Sequence, residues 1–78
     1  MVRAGETYKI DDVKVHIVEV LSYKKMSGRK ELMIGYKIED GDFVSPVAHF
    51  WMDEYDDIRR HLRRVVNYYK EVKNVLRR

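Results

Sequence analysis

Three features of the chain predict an α+β fold: a four- to five-stranded antiparallel small barrel or curved sheet followed by one long C-terminal helix. Apolar and polar residues alternate in short runs through the first 52 positions, and turn signals separate those runs. The last 26 positions carry apolar residues at helical spacing. The connections between runs are too short for parallel crossovers, so neighbouring strands must be antiparallel. At 78 residues the chain is one domain, with a β body at 1–52 and an amphipathic helix at 53–78.

The strands follow from parity. Glu6 to Ile10 places Tyr8 and Ile10 on one side, and the turn-forming pair Asp11-Asp12 ends it. Val13, Val15 and Ile17 then alternate with Lys14 and His16 in a run that continues to Tyr23. At Ile17-Val18 the parity changes and Val18 and Val20 take the apolar phase, which predicts a β-bulge or a sharp coil. Lys24 to Lys30 is a polar hairpin loop with four cations, Lys24, Lys25, Arg29 and Lys30. Leu32, Ile34, Tyr36 and Ile38 alternate with Met33, Gly35 and Lys37, and the pair Asp40-Gly41 signals the next hairpin. Phe43 to Met52 is the return strand, and Pro46, which cannot donate to a ladder, marks an edge or a bulge at its middle.

The helix is predicted from Asp53, with Asp53 as its cap, Asp56 completing a weaker capping box, and Glu54 and Asp57 in the same first turn. Its apolar positions, Tyr55, Ile58, Leu62, Val65, Tyr69, Val72 and Leu76, are spaced 3, 4, 3, 4, 3, 4. A seam repeating every 3.5 residues keeps one face against a partner. At ~1.5 Å per residue the helix spans roughly 39 Å against a body of about 20–25 Å, so two or three turns should overhang. The expectation is a homodimer through Leu62, Val65, Tyr69, Val72 and Leu76, widened by Val66, Tyr68 and Val75, because a soluble monomer rarely exposes such a stripe.

Charge is divided unevenly. Residues 1–52 hold eight cations and eight acids, whereas Ile58 to Arg78 holds eight cations against Glu71 alone, a surplus of +7 that the acids Asp53, Glu54, Asp56 and Asp57 reduce to the chain's +3. Acids before cations suit the helix dipole, but the dipole needs cations only in the last turn. Arg59, Arg60, Arg63 and Arg64 lie near the start, and their surplus points to solubility or a polyanionic partner.

Other classes lose support. There is no cysteine, which removes disulfides, zinc-thiolate sites and a thiol nucleophile. His16, His49 and His61 lack metal-ligand spacing, so no metal and no cofactor is expected. No phosphate loop or nucleophile elbow surrounds Ser22, Ser27 or Ser45, and the expectation is a non-enzyme. No apolar leader or membrane-length run occurs, so a cytoplasmic protein without membrane association is expected. Gln is absent while charged residues reach 37%, a thermophile-like composition.

Leu32-Met33-Ile34-Gly35-Tyr36, followed by Glu39-Asp40-Gly41 and a C-terminal helix, resembles the seven-kilodalton archaeal chromatin proteins among the Src-homology-three-like small barrels. That resemblance covers residues 13–66 and implies duplex DNA binding through the outer face of a sheet. Phe50-Trp51-Met52-Asp53-Glu54 leading into Ile58 and Leu62 is similar to the strand-to-helix junction of positive-cofactor-four-type coactivators. Those are helix-paired dimers that bind single-stranded DNA.

Taken with the charge, the expected function is nucleic-acid binding through the phosphate backbone without strong sequence preference, with DNA preferred to RNA. The expected contact residues are Lys24, Lys25, Arg29, Lys30, Arg59, Arg60, Arg63 and Arg64 for phosphates, with Tyr36 and Trp51 as exposed aromatics beside them. Trp51 has the opposite parity to Phe50 and Met52, so burial of that pair turns the indole outward or under the helix. The alternative is a small protein-interaction or inhibitor-like module acting through the helix seam, which the neutral β body favours.

Overall fold

The computed structural model describes residues 2–76 and contains five strands and one helix: β1 Thr7–Ile10, β2 Val13–Lys24, β3 Lys30–Asp40, β4 Phe43–Val44, β5 Ala48–Asp53 and α1 Ile58–Leu76. All pairings are antiparallel. β2 lies between β1 and β3, and β3 carries β4 and β5 along its other side. Among the described residues no pairing closes β1 onto β4 or β5, so of the two expected forms the molecule takes the open sheet.

Local chemistry explains the turns and breaks. Gly41 (φ 62°) supplies the left-handed residue of the Asp40-to-Phe43 hairpin, and Asp11 (φ 56°) does the same between Ile10 and Val13. The register between β2 and β3 jumps between Ile17 and Glu19, leaving Val18 as the extra residue of the predicted bulge. Inward positions are accordingly Val13, Val15 and Ile17 before the bulge and Val20 after it. The return strand breaks at Ser45-Pro46-Val47. Ser45 repairs part of the ladder there: its N–H donates to the Ile38 carbonyl at 2.8 Å, and its Oγ accepts from the Ile38 N–H at 2.8 Å.

The helix begins later than its acids suggest. Asp53 ends β5, Glu54 to Asp57 turn the chain back over the sheet, and Asp57 is the cap, its carboxylate accepting from the Arg59 N–H at 3.0 Å. Only one of the two side-chain bonds of a capping box exists, and it closes the preceding turn, while the Asp53 carboxylate accepts from the Tyr55 N–H at 3.1 Å. The Asp53 N–H donates to the Asp56 carboxylate at 3.1 Å, and the Asp56 N–H donates to the Asp53 carbonyl at 3.0 Å. No acidic residue lies in the first helical turn. The predicted helical positions 77 and 78 lie outside the described residues.

One face of the sheet is covered by α1. Leu62 and Val66 are fully buried against Leu32, Ile34, Ile38 and Met52, with Ile58, Val65 and Tyr69 packed around them. The spacing 58, 62, 65, 66, 69 is the broad stripe of a helix lying on a sheet, rather than a two-helix seam. Leu62, expected in a dimer interface, is therefore enclosed within its own chain, and Val65 and Tyr69 pack on the same core. The far end of the helix is tied to the β3–β4 turn, where Asp40 accepts from Tyr69 Oη at 2.9 Å and from Lys73 Nζ at 2.6 Å. Of the predicted overhang, the last turn and a half remains: Val72, Val75 and Leu76 are exposed.

A domain of this size is stable by only about 4–12 kcal/mol. Leu62→Ala should remove ~3 kcal/mol and bring the protein close to unfolding, whereas Asp57→Ala should cost ~1 kcal/mol through the missing cap. Urea denaturation followed by far-ultraviolet circular dichroism measures both, and equal losses would contradict the assignment of the core.

Candidate nucleic-acid interface

The second face of the sheet carries no helix. Because Phe50 and Met52 point under α1, the alternate residues of β5 point away from it, and the same parity runs across the strands. Three rows result: Tyr23, Glu31 and Asp53; Leu21, Met33 and Trp51; Glu19, Gly35 and His49. Trp51 and Tyr23 are each 50% exposed, and their rings approach to 5.4 Å between centroids at a 53° tilt, bridging over β3. Leu21 is exposed beside them and Met33 half-buried, so the rows form an apolar strip with two aromatic rings at its centre.

Polar contacts bound the strip. At the hairpin end Lys25 pairs with Glu31 at 2.6 Å and Arg29 with Asp53 at 3.3 Å. At the other side His49 and Glu19 approach to 3.5 Å. Gly35 lies beneath that contact. A Cβ there would stand 3.1 Å from the Glu19 Cβ and 3.3 Å from the His49 ring, so the strand interior needs glycine's missing side chain for the two to approach. Further along, Lys9, Lys14 and Lys37 share this face, with His16 bridging Thr7 Oγ1 (2.9 Å) and Glu39 (2.8 Å).

The lysines form an unfavourable arrangement on their own. Lys9 stands directly opposite Lys14 across β1 and β2, and Lys24 directly opposite Lys30 across β2 and β3. Like charges in that register repel. Among the described residues none of these four makes an ion pair.

The expected contact residues divide between two layers. Trp51, Lys25 and Arg29 border the helix-free face, whereas Lys24 and Lys30, at the same hairpin end, share the parity of Leu32 and belong to the helix side of the sheet. Arg59, Arg60, Arg63 and Arg64 ride on α1, on the opposite side of the sheet. Several of them are engaged there: the Arg59 guanidinium sits 5.2 Å from the Tyr8 ring centroid, Arg63 lies 3.8 Å from Asp11, and Arg64 lies 2.6 Å from His61 Nδ1. Lys70 is held by Asp12 and Asp11, contacts that raise its pKa and lower that of Asp12. Tyr36, expected to be exposed, points under the helix instead. It packs on Phe50 at 5.6 Å, and burial pushes its phenol pKa up.

Leu21, Met33, Gly35 and His49 complete the face and were not among the expected contact residues, although they share the outward parity that identifies Trp51. The three histidines each meet a single carboxylate, His61 meeting Asp56 at 3.1 Å. Among the described residues no three His, Asp or Glu side chains converge on a metal-sized space. No described helix is long and apolar enough to cross a membrane.

No family model, curated protein or solved structure matches the chain.

The opposed lysines yield a stability test. Lys9→Glu and Lys24→Glu each convert a repulsive cross-strand pair into an attractive one and should raise stability by about 0.2–1 kcal/mol. A drop in the urea midpoint for both variants would show that the lysines are already compensated in the free protein.

Proposed function

We propose that the protein binds nucleic acid, DNA in preference to RNA, through the helix-free face of the sheet, with backbone contacts and no strong sequence preference. One observation carries the proposal: the exposed Tyr23–Trp51 pair lies on a face that also carries Lys9, Lys14 and Lys37, with Lys9 and Lys14 directly opposed and in no ion pair among the described residues. Aromatic rings stack on any base, and flanking cations meet phosphates, so the arrangement supplies affinity without reading a sequence. From Glu31 to Lys37 β3 extends about 20 Å, the length of roughly six base pairs. Leu21 and Met33 beside the rings are the side-chain type that wedges between base steps where a duplex is bent. A polyanion also resolves the lysine repulsion that the free protein tolerates.

On this basis the helix arginines contribute a diffuse positive field rather than contacts. Trp51→Ala should weaken binding about 5- to 150-fold, the range expected when one base loses its stacking platform. Lys9→Glu should weaken it while leaving the protein at least as stable. Changing Lys9, Lys14 and Lys37 together to Gln should flatten the log-log salt dependence of duplex binding by about 0.9 for each phosphate no longer neutralised. Changing Arg59, Arg60, Arg63 and Arg64 together to Gln should have the smaller effect. Gel shifts with single- and double-stranded DNA and RNA at two salt concentrations measure all of these. Absence of binding at low salt would overturn the proposal, and loss confined to the arginine variant would move the site to the helix.

A further inference from the structure

We infer that the free edge of β5 pairs with the same edge of a second copy of this chain, joining two sheets across a two-fold axis at Phe50. The phase of the ladder decides which backbone groups are available. The Glu54 N–H donates to the Lys30 carbonyl at 3.2 Å, and bonded pairs alternate along an antiparallel ladder, so Ala48, Phe50 and Met52 bond to β3. His49, Trp51 and Asp53 turn their N–H and C=O groups to the other side. Asp56 takes both groups of Asp53. Those of His49 and Trp51 meet no protein group among the described residues, and both residues are exposed.

Two properties select a second copy. The first is register. A copy in antiparallel order offers the same groups, and with Phe50 opposite Phe50 each His49 stands opposite a Trp51, so every free N–H meets a free C=O. A shift of the register by one step of the pleat either way sets His49 or Trp51 opposite itself and leaves the other facing Asp53 or a residue outside the strand. Phe50 then forms an aromatic cross-strand pair at the closely spaced, non-hydrogen-bonded position. The second property is the lack of a guard. Sheet edges are ordinarily protected by lysine, proline, a bulge or shortness. At β1 the Ile17 N–H donates to the Glu6 carbonyl, a phase that leaves Lys9 at the outer edge, and β4 is two residues long. β5 runs from Ala48 to Asp53 in unbroken register with β3 and contains no Lys, Pro or Gly. Pairing through β5 therefore closes at two copies, because the edges left outside are the guarded ones. So short a ladder makes a small contact, and dissociation on the order of hundreds of micromolar is expected. The two-fold also sets the two helix-free faces side by side, but the pairing itself needs no nucleic acid.

Sedimentation equilibrium without nucleic acid, from low micromolar to millimolar protein, is combined with backbone amide exchange read by nuclear magnetic resonance. The mass should rise with concentration from 9.4 kDa toward twice that value. At about ten times the dissociation constant, mass action leaves roughly a fifth of the chains monomeric, so the His49 and Trp51 amides should exchange about 5-fold more slowly than in dilute protein. The Lys9 amide, unbonded at the β1 edge, should keep its rate. His49→Pro removes a donor that makes no bond to β3, and it should hold the mass at the monomer value while keeping the wild-type circular dichroism. Should that variant unfold, the exchange of His49 and Trp51 in the wild-type chain decides. A wild-type chain that stays monomeric at millimolar concentration would overturn the inference, as would a dimer in which those two amides exchange at the monomer rate. A dimer that persists in folded His49→Pro, or that Leu76→Asp at the helix end abolishes, would also overturn it.

Discussion

Burial of Leu62 and Val66 on one face of an open sheet is the contact on which the other features depend. A sheet that does not close on itself needs a cover, and the described residues hold one helix to provide it. Once the helix takes the face carrying Leu32, Ile34, Ile38 and Met52, the opposite face is left to solvent. Trp51, Tyr23 and Leu21 are exposed for that reason, and the helix end is free because α1 runs on beyond the turn at Asp40. The face proposed for nucleic acid is thus a consequence of a single packing choice.

Residue parity made much of this legible. The burial of Met52 follows from its alternation with Trp51, and with it the outward indole; the bulge at Val18 follows from the phase change, and the broken return strand from Pro46. The exposure assigned to Tyr36 conflicted with the same parity, since Tyr36 alternates in step with Ile34 and Ile38 and is drawn inward with them. Other features had no distinct signature. The Asp53 N–H donates to the Asp56 carboxylate as in half of a capping box, and a turn uses that chemistry as readily as a helix start, so the helix boundary was displaced to Asp53. The periods 3.5 and 3.6 diverge little over five turns, and Val65 and Val66 are both apolar, so a seam for a second helix and a stripe for a sheet looked alike.

Charge is the feature most altered by the fold. The arginine-rich helix dominates the sequence, yet Arg59, Arg63 and Arg64 touch Tyr8, Asp11 and His61, and Lys70 and Lys73 touch Asp11, Asp12 and Asp40. Part of its positive charge therefore anchors α1 to acidic turns of the body. The formally neutral body separates its charges instead: Glu31 and Asp53 neutralise Lys25 and Arg29, while Lys9 stands opposite Lys14 and Lys24 opposite Lys30. Net charge by segment consequently pointed to the helix, and the pairing register shifts attention to the sheet.

Trp51 is the chain's single tryptophan and lies at the centre of the face assigned to nucleic acid, so its own emission reports on the central claim. Titrating the protein with an unlabelled oligonucleotide at low salt, while a labelled copy reports total binding by anisotropy, separates occupancy of this face from binding elsewhere. The account predicts saturable quenching of Trp51 fluorescence that tracks the anisotropy and reverses as salt is added. Full binding by anisotropy with unaltered Trp51 emission would contradict it.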